Sequence, residues 1–187
     1  MSEHGHIEGA NKKIALLVAI LAALLALAET AGKSAQTNAL SHNIEASNLW
    51  AFFQAKTIRG AIVRTAAEAF EAGAPAAPAP QVKDAMDKRT AAWRATVARY
   101  ESEPETGEGR KELMERARVA EKKRDLALAT YHHLELSSAA LQLAIVLASA
   151  AVVTGVGLLV WIAGGLGVAG AALAAIGLFA PAALHFF

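Results

Sequence analysis

Residues 134–180 read LELSSAALQLAIVLASAAVV (134–153), TGVG (154–157) and LLVWIAGGLGVAGAALAAIGLFA (158–180). The first run carries one formal charge, Glu135 at its start, and the last carries none. About 20 helical residues at ~1.5 Å each span about 30 Å, the thickness of a bilayer's hydrocarbon core. No alternation of period two marks either run as a barrel strand, and a helix satisfies its own backbone in lipid. The two runs therefore predict a pair of transmembrane helices, 134–153 and 158–180. Gly155 and Gly157 supply the permissive backbone for the reversal between them.

The second of these helices has a stripe of small residues. Ala163, Gly167, Ala171 and Ala175 fall four apart, with Gly170 and Ala174 beside them. Small side chains at this spacing let helix backbones approach closely in lipid, against the chain's own helices or against another copy. Trp161 suits an interfacial ring, and Phe179, Phe186 and Phe187 suit lipid or packing contacts near the helix end. Gln142 is the one strongly polar uncharged residue inside the spans, positioned to hydrogen-bond across helices.

Working back to the N-terminus, residues 1–13 form a short polar tail. Its His4 and His6 are too few for a closed zinc site. Ile14–Ala28 is an apolar run preceded by Lys12 and Lys13. It reads as transmembrane helix 1, over 14–32, with the lysines snorkelling at one end and Glu29 near the other interface. The competing reading is a secretory signal peptide, for which Ala26-Leu27-Ala28 offers a cleavage site. The acidic and histidine residues ahead of the lysines favour the retained helix.

Between the spans, residues 33–133 hold nearly all of the charge. Subtracting Lys12 and Lys13 from 18 basic residues leaves 16, and subtracting Glu3 and Glu8 from 17 acidic residues leaves 15. Ser34–Ala72 reads as a helix whose apolar positions are Leu40, Ile44, Ala51, Ile58, Ile62 and Ala69, with Glu45, Lys56, Arg59 and Glu68 on other faces. Three prolines in residues 73–80 end it. Gln81–Glu103 is a second helix, with Val82, Ala85, Met86, Trp93, Val97 and Tyr100 as its apolar side. An acidic turn over 103–109 leads to a third helix, Arg110–His133, patterned by Leu113, Ala117, Ala120 and Leu128. The expected architecture is an all-α membrane protein. It has one N-terminal span, a water-exposed helical bundle or coiled-coil hairpin, and a C-terminal hairpin of two spans.

The dense aromatic stretch Leu49-Trp50-Ala51-Phe52-Phe53 predicts a packing knot between helices. Trp50 to Arg59, WAFFQAKTIR, resembles the W-x-x-[YF]-Q-A-K-[ST]-I-R signature of a bacterial membrane-protein family known as a domain of unknown function. Residues 141–149, LQLAIVLAS, are similar to the start of that family's second span, and the opening Ser-Glu-His-Gly-His is similar to its His-rich start. The order of features matches over nearly the whole chain, and only the Ala/Pro-rich linker departs. The resemblance implies a membrane protein with a helical insert and supplies no activity. Read physically, Trp50, Phe53, Gln54, Lys56 and Arg59 are the interaction candidates of the insert, Gln54 either as a polar residue that fixes register or as part of an exposed polar face. Gln142, Ala163, Gly167 and Ala171 are those of the spans.

No catalytic, cofactor-binding or metal-binding constellation is expected. GxSxG, HExxH and a Gly-rich strand-to-helix loop are absent. Adjacent His132 and His133 point about 100° apart on a helix and chelate poorly. A net charge of +1 gives no argument for a nucleic-acid partner, and the lack of cysteine excludes disulfides and thiolate metal sites. Basic residues flanking the spans place the insert in the cytoplasm, by the excess of Lys33, Arg116, Arg118 and residues 122–124 over Lys12 and Lys13, and the resemblance implies that the membrane is a bacterial inner membrane. The expected partners are the lipid bilayer and either further copies of the chain or a larger membrane complex. The expected function is a non-enzymatic scaffold or accessory subunit, with an oligomeric pore or transport-related protein as the alternative.

Overall fold

A computed structural model describes residues 3–183, with side chains from residue 12 onward. The side chains of His4 and His6, together with Phe186 and Phe187, lie outside the described residues. The described residues form four helices: α1 (Glu3–Ala72), α2 (Pro80–Glu101), α3 (Arg110–Thr154) and α4 (Gly157–Phe179). No strand occurs among the described residues. Three of these helices are long and apolar enough to cross a membrane: α1, α3 and α4. Pro80 occupies the first turn of α2, where its missing N–H costs nothing. Gly155, at φ +73°, makes the reversal between α3 and α4, its N–H donating to the carbonyl of Ala151 at 2.9 Å.

The helices contribute to two compact units, Met1–Ser41 with Lys123–Phe187, and His42–Lys122. The first unit packs the N-terminal part of α1, the C-terminal part of α3, and α4. Its core is built on Leu21, Ala28, Leu134, Leu141 and Ala144. The α4 contribution is the small stripe Ala163, Gly167, Gly170 and Gly177, all buried. A Cβ placed on Gly167 would stand 2.5 Å from Leu21 Cδ2, and one on Gly170 would stand 2.9 Å from Leu141 Cγ. Many other large apolar side chains, such as Leu16, Leu27, Leu143, Val146, Trp161 and Val168, face outward. On α4, small residues inside and large apolar residues such as Trp161 and Val168 outside suit lipid surroundings, where close backbone packing replaces the hydrophobic drive between helices. Hydroxyls on these helices bond within their own turn, Thr30 to Ala26 O at 2.8 Å and Ser149 to Ile145 O at 2.8 Å. Ser137 instead crosses to α4, its Oγ donating to the carbonyl of Gly170 at 2.7 Å in a fully buried contact.

The second unit is a helical hairpin: α1 from His42 forms one arm, and α2 followed by α3 up to Lys122 returns antiparallel along it, α2 packing near Phe70 and α3 near Trp50 and Phe53. Its core is Ala46, Leu49, Leu113, Ala117 and Ala120, flanked by Trp50, Phe52 and Phe53. On α1 the inward residues are Ala46, Leu49, Phe53, Lys56, Gly60, Val63 and Ala67, a strict alternation of three and four. This corrects the apolar face expected from the sequence. Leu40, Ile44, Ile58 and Ile62 are more than half exposed, while Lys56 is buried. The inward seam escapes a hydropathy reading because a lysine and a glycine interrupt it. The outward seam carries the bulky aliphatic residues. On α2, Val82 and Ala85 are exposed, and Met86, Thr90, Trp93, Val97 and Tyr100 face inward, with Thr90 buried. On α3, Leu128 is exposed, whereas Leu113, Ala117 and Ala120 are buried.

Candidate functional site

The residues of the WAFFQAKTIR stretch sort by helical geometry into two sets. Positions 50, 53 and 56 lie three apart and share the inward side of α1. Trp50 and Phe53 meet edge to face at 5.4 Å between ring centroids. The indole Nε1–H of Trp50 donates to Glu121 Oε1 on α3 at 2.9 Å. Phe53 receives the guanidinium of Arg110, 5.1 Å above its ring, and the same guanidinium donates through Nη1 to Glu101 Oε2 at 2.7 Å.

Lys56 is the centre of this knot. Its ammonium lies 5.4 Å from the Phe52 ring and 5.1 Å from the Tyr100 ring, within the range of cation–π attraction. Two carboxylates complete its surroundings, Glu103 at 3.7 Å and Glu108 at 3.9 Å. These separations are ion pairs rather than close hydrogen bonds. A lysine from the C-terminal part of α1 thus clasps both ends of the turn between α2 and α3. A buried cation is tolerated when opposite charge and polarisable faces replace its water.

The turn is held from a second side. Ser102 Oγ donates to Glu112 Oε1 at 2.6 Å, and the backbone N–H of Glu103 donates to Glu112 Oε2 at 3.1 Å. These donors, Ser102 first, hold the Glu112 carboxyl below its ordinary value. Gly109, the residue before α3, lies directly against the backbone of Ser102 and Glu103, where a Cβ has no room.

Gln54 and Arg59, from the same stretch, are exposed, and neither enters a hydrogen bond or ion pair among the described residues. Of the candidates in the spans, Gln142 donates through Nε2 to Glu29 Oε1 at 3.1 Å. Ala163 is fully buried, Gly167 is buried against Leu21, and Ala171 is half-buried. Sequence reasoning missed Ser137, Gly177 and the turn carboxylates Glu103 and Glu108. Ser137 had a legible signal in its three- and four-residue spacing from Leu134 and Leu141. The carboxylates had none, because their role depends on where the turn folds back. His133 is also buried. Its Nδ1–H donates to the Ala129 carbonyl at 2.6 Å, since a carbonyl only accepts.

The second unit has an open groove of about 750 Å³ at the Pro-rich end, lined by Phe70, Glu71, Pro78, Met86, Thr90 and Arg94 among others. Glu71 and Arg94 pair across it at 2.7 Å. No group of three or more His, Asp or Glu residues is placed to hold a metal among the described residues. The contacts of the knot join α1 to both ends of the turn between α2 and α3.

No curated protein and no solved structure matches the chain. A family model matches it over residues 10–180. With both spans-forming ends and the whole knot inside that match, the chain belongs to the family described as domain of unknown function DUF4337.

Proposed function

We propose that this is a non-enzymatic integral membrane protein that serves as a scaffold or accessory subunit through helix–helix association. It sits in a bacterial inner membrane by three spans, with residues 33–133 on the cytoplasmic side. The observation that carries the reading is the double-faced α1. One seam builds the bundle around Lys56, and the other leaves Ile44, Ile58 and Ile62 facing outward. Exposed aliphatic residues in a regular stripe mark an interaction surface. The charged groups of the knot engage one another, which supports assembly over catalysis. The excess of basic residues on the insert's flanks supports its cytoplasmic placement.

Native mass spectrometry of the full chain in detergent or nanodiscs tests this. Discrete oligomers, or co-purification with a larger membrane assembly, are the expected result, and a strictly monomeric profile refutes it. Labelling of Ser102→Cys and Ser2→Cys variants in intact cells tests the sidedness, with only the latter reacting with an impermeant reagent. The second reading is an oligomeric pore or transport-related protein, favoured by the Gln142–Glu29 contact within the apolar helices. It requires conductance in liposomes that changes in Gln142→Leu.

A further inference from the structure

The outward side of α1 in the second unit has its own strict pattern. Ile44, Asn48, Ala51, Ala55, Ile58 and Ile62 follow intervals of four, three, four, three and four. All are exposed except Ala55, which is half-buried, and the three isoleucines are 53%, 60% and 63% exposed. At about 3.5 residues per turn this stripe lies roughly 150° round the helix from the inward seam. No charge falls on it. Two heptad seams on one helix, of which the bundle fills one, leave a surface shaped to receive a second helix of matching repeat.

We propose that the occupant is α1 of a second copy of this chain, lying parallel and in register. The inference deepens the scaffold reading and rests on it. Copies inserted the same way round in one bilayer carry their α1 helices in the same direction, so each seam residue meets its own counterpart. In that register Ile44, Ala51 and Ile58 are d positions, and Asn48, Ala55 and Ile62 are a positions. The single polar residue at an a position, Asn48, is the device that selects register in two-stranded assemblies. Small Ala51 and Ala55 at the centre let the backbones close in, and isoleucines seal the ends.

The flanks explain the two residues of the WAFFQAKTIR stretch that the bundle leaves unused. Gln54 falls at g and Arg59 at the following e. In a parallel pair, g of one helix reaches e of the partner helix five residues on. The Gln54 side-chain oxygen then accepts from the Arg59 guanidinium of the second copy, twice by symmetry. Within one helix, residues five apart do not face each other, so the contact belongs to the pair and not to the single chain.

The chain contains no cysteine, so single-cysteine variants report without background. Ala51→Cys, Ile58→Cys and Ile62→Cys on the stripe are compared with Arg64→Cys and Lys88→Cys, exposed positions off it, in the full chain in native membranes under mild oxidation. Disulfide-linked dimer is expected at least about tenfold more at the stripe positions. Equal cross-linking everywhere, or none at the stripe, overturns the proposal. So does dimer that forms only when Ile44→Cys and Ile58→Cys chains are mixed, because that requires antiparallel helices. Gln54→Arg is expected to weaken the dimer about fivefold by setting like charges together, and Gln54→Arg/Arg59→Glu to restore it. An unrepaired double variant counts against the register. Native mass spectrometry of the same samples separates the two readings. Oligomers without stripe-specific cross-links overturn this seam and keep the scaffold, and monomer throughout overturns both.

Discussion

Shortening Lys56 should damage the bundle through lost packing more than through lost charge. The ammonium has two ring contacts, each worth about 0.5–1 kcal/mol, and two ion pairs to partly exposed carboxylates that solvent screens to about 0.5 kcal/mol each. Removing the charge also relieves its desolvation, which offsets part of that sum. Lys56→Met keeps an unbranched stem between Phe52 and Tyr100, and Glu103 retains Arg99 at 3.6 Å. We expect a cost of about 1–2 kcal/mol. Lys56→Ala further strips about three methylenes from a buried site at ~0.8 kcal/mol each, bringing the total to about 4 kcal/mol. Urea unfolding of the full chain in mild detergent, followed by far-ultraviolet circular dichroism, reads the difference. If Lys56→Met falls as far as Lys56→Ala, the ion pairs dominate and the packing argument is wrong. If Lys56→Ala costs less than about 1 kcal/mol, Lys56 is not a core residue.

Three further outcomes follow from the geometry. Gly170→Val drives a side chain against Leu141 and the Ser137 carbonyl and should cost about 2–3 kcal/mol, seen as a lower detergent-denaturation midpoint; an unchanged midpoint refutes the close α3–α4 contact. Trp50→Phe keeps the edge-to-face pair but orphans Glu121, for a loss of about 1–2 kcal/mol by the same unfolding assay, and Glu121→Gln should lose less. The Glu112 carboxyl sits below its ordinary value of 4.5, so it stabilises the fold fully above that pH and the contribution disappears as pH falls through the lowered value. Ser102→Ala should therefore flatten the acid limb of the stability profile, and a limb identical to that of the parent would remove Ser102 as the cause.

The apolar runs made the three long hydrophobic helices legible, because their length and lack of charge leave few alternatives. The small stripe at Ala163 and Gly167 was legible from spacing, but its partner was not. That partner is the chain's own Leu21 and Leu141, which no local pattern names. The aromatic knot was legible as a cluster around Trp50 and Phe53. The inward placement of Lys56 was hidden, since a cation reads as solvated until Glu103 and Glu108 are brought to it from about fifty residues away. The same local logic misassigned Ile44, Ile58 and Ile62, because periodicity shows that a helix has an apolar stripe and not what faces it.

The unbroken three–four rhythm of inward residues on α1 and α2 makes the hairpin a ruler with seven-residue graduations. Lengthening both arms by seven at the Pro-rich tip would repeat the cross-section and leave the Lys56 clasp undisturbed at the other end. A one-residue insertion below the tip would instead turn everything beyond it by about 100° and carry aliphatic side chains where alanine and glycine now fit. Hairpins of this design therefore grow in quantised steps, their reach adjustable without redesign of the root.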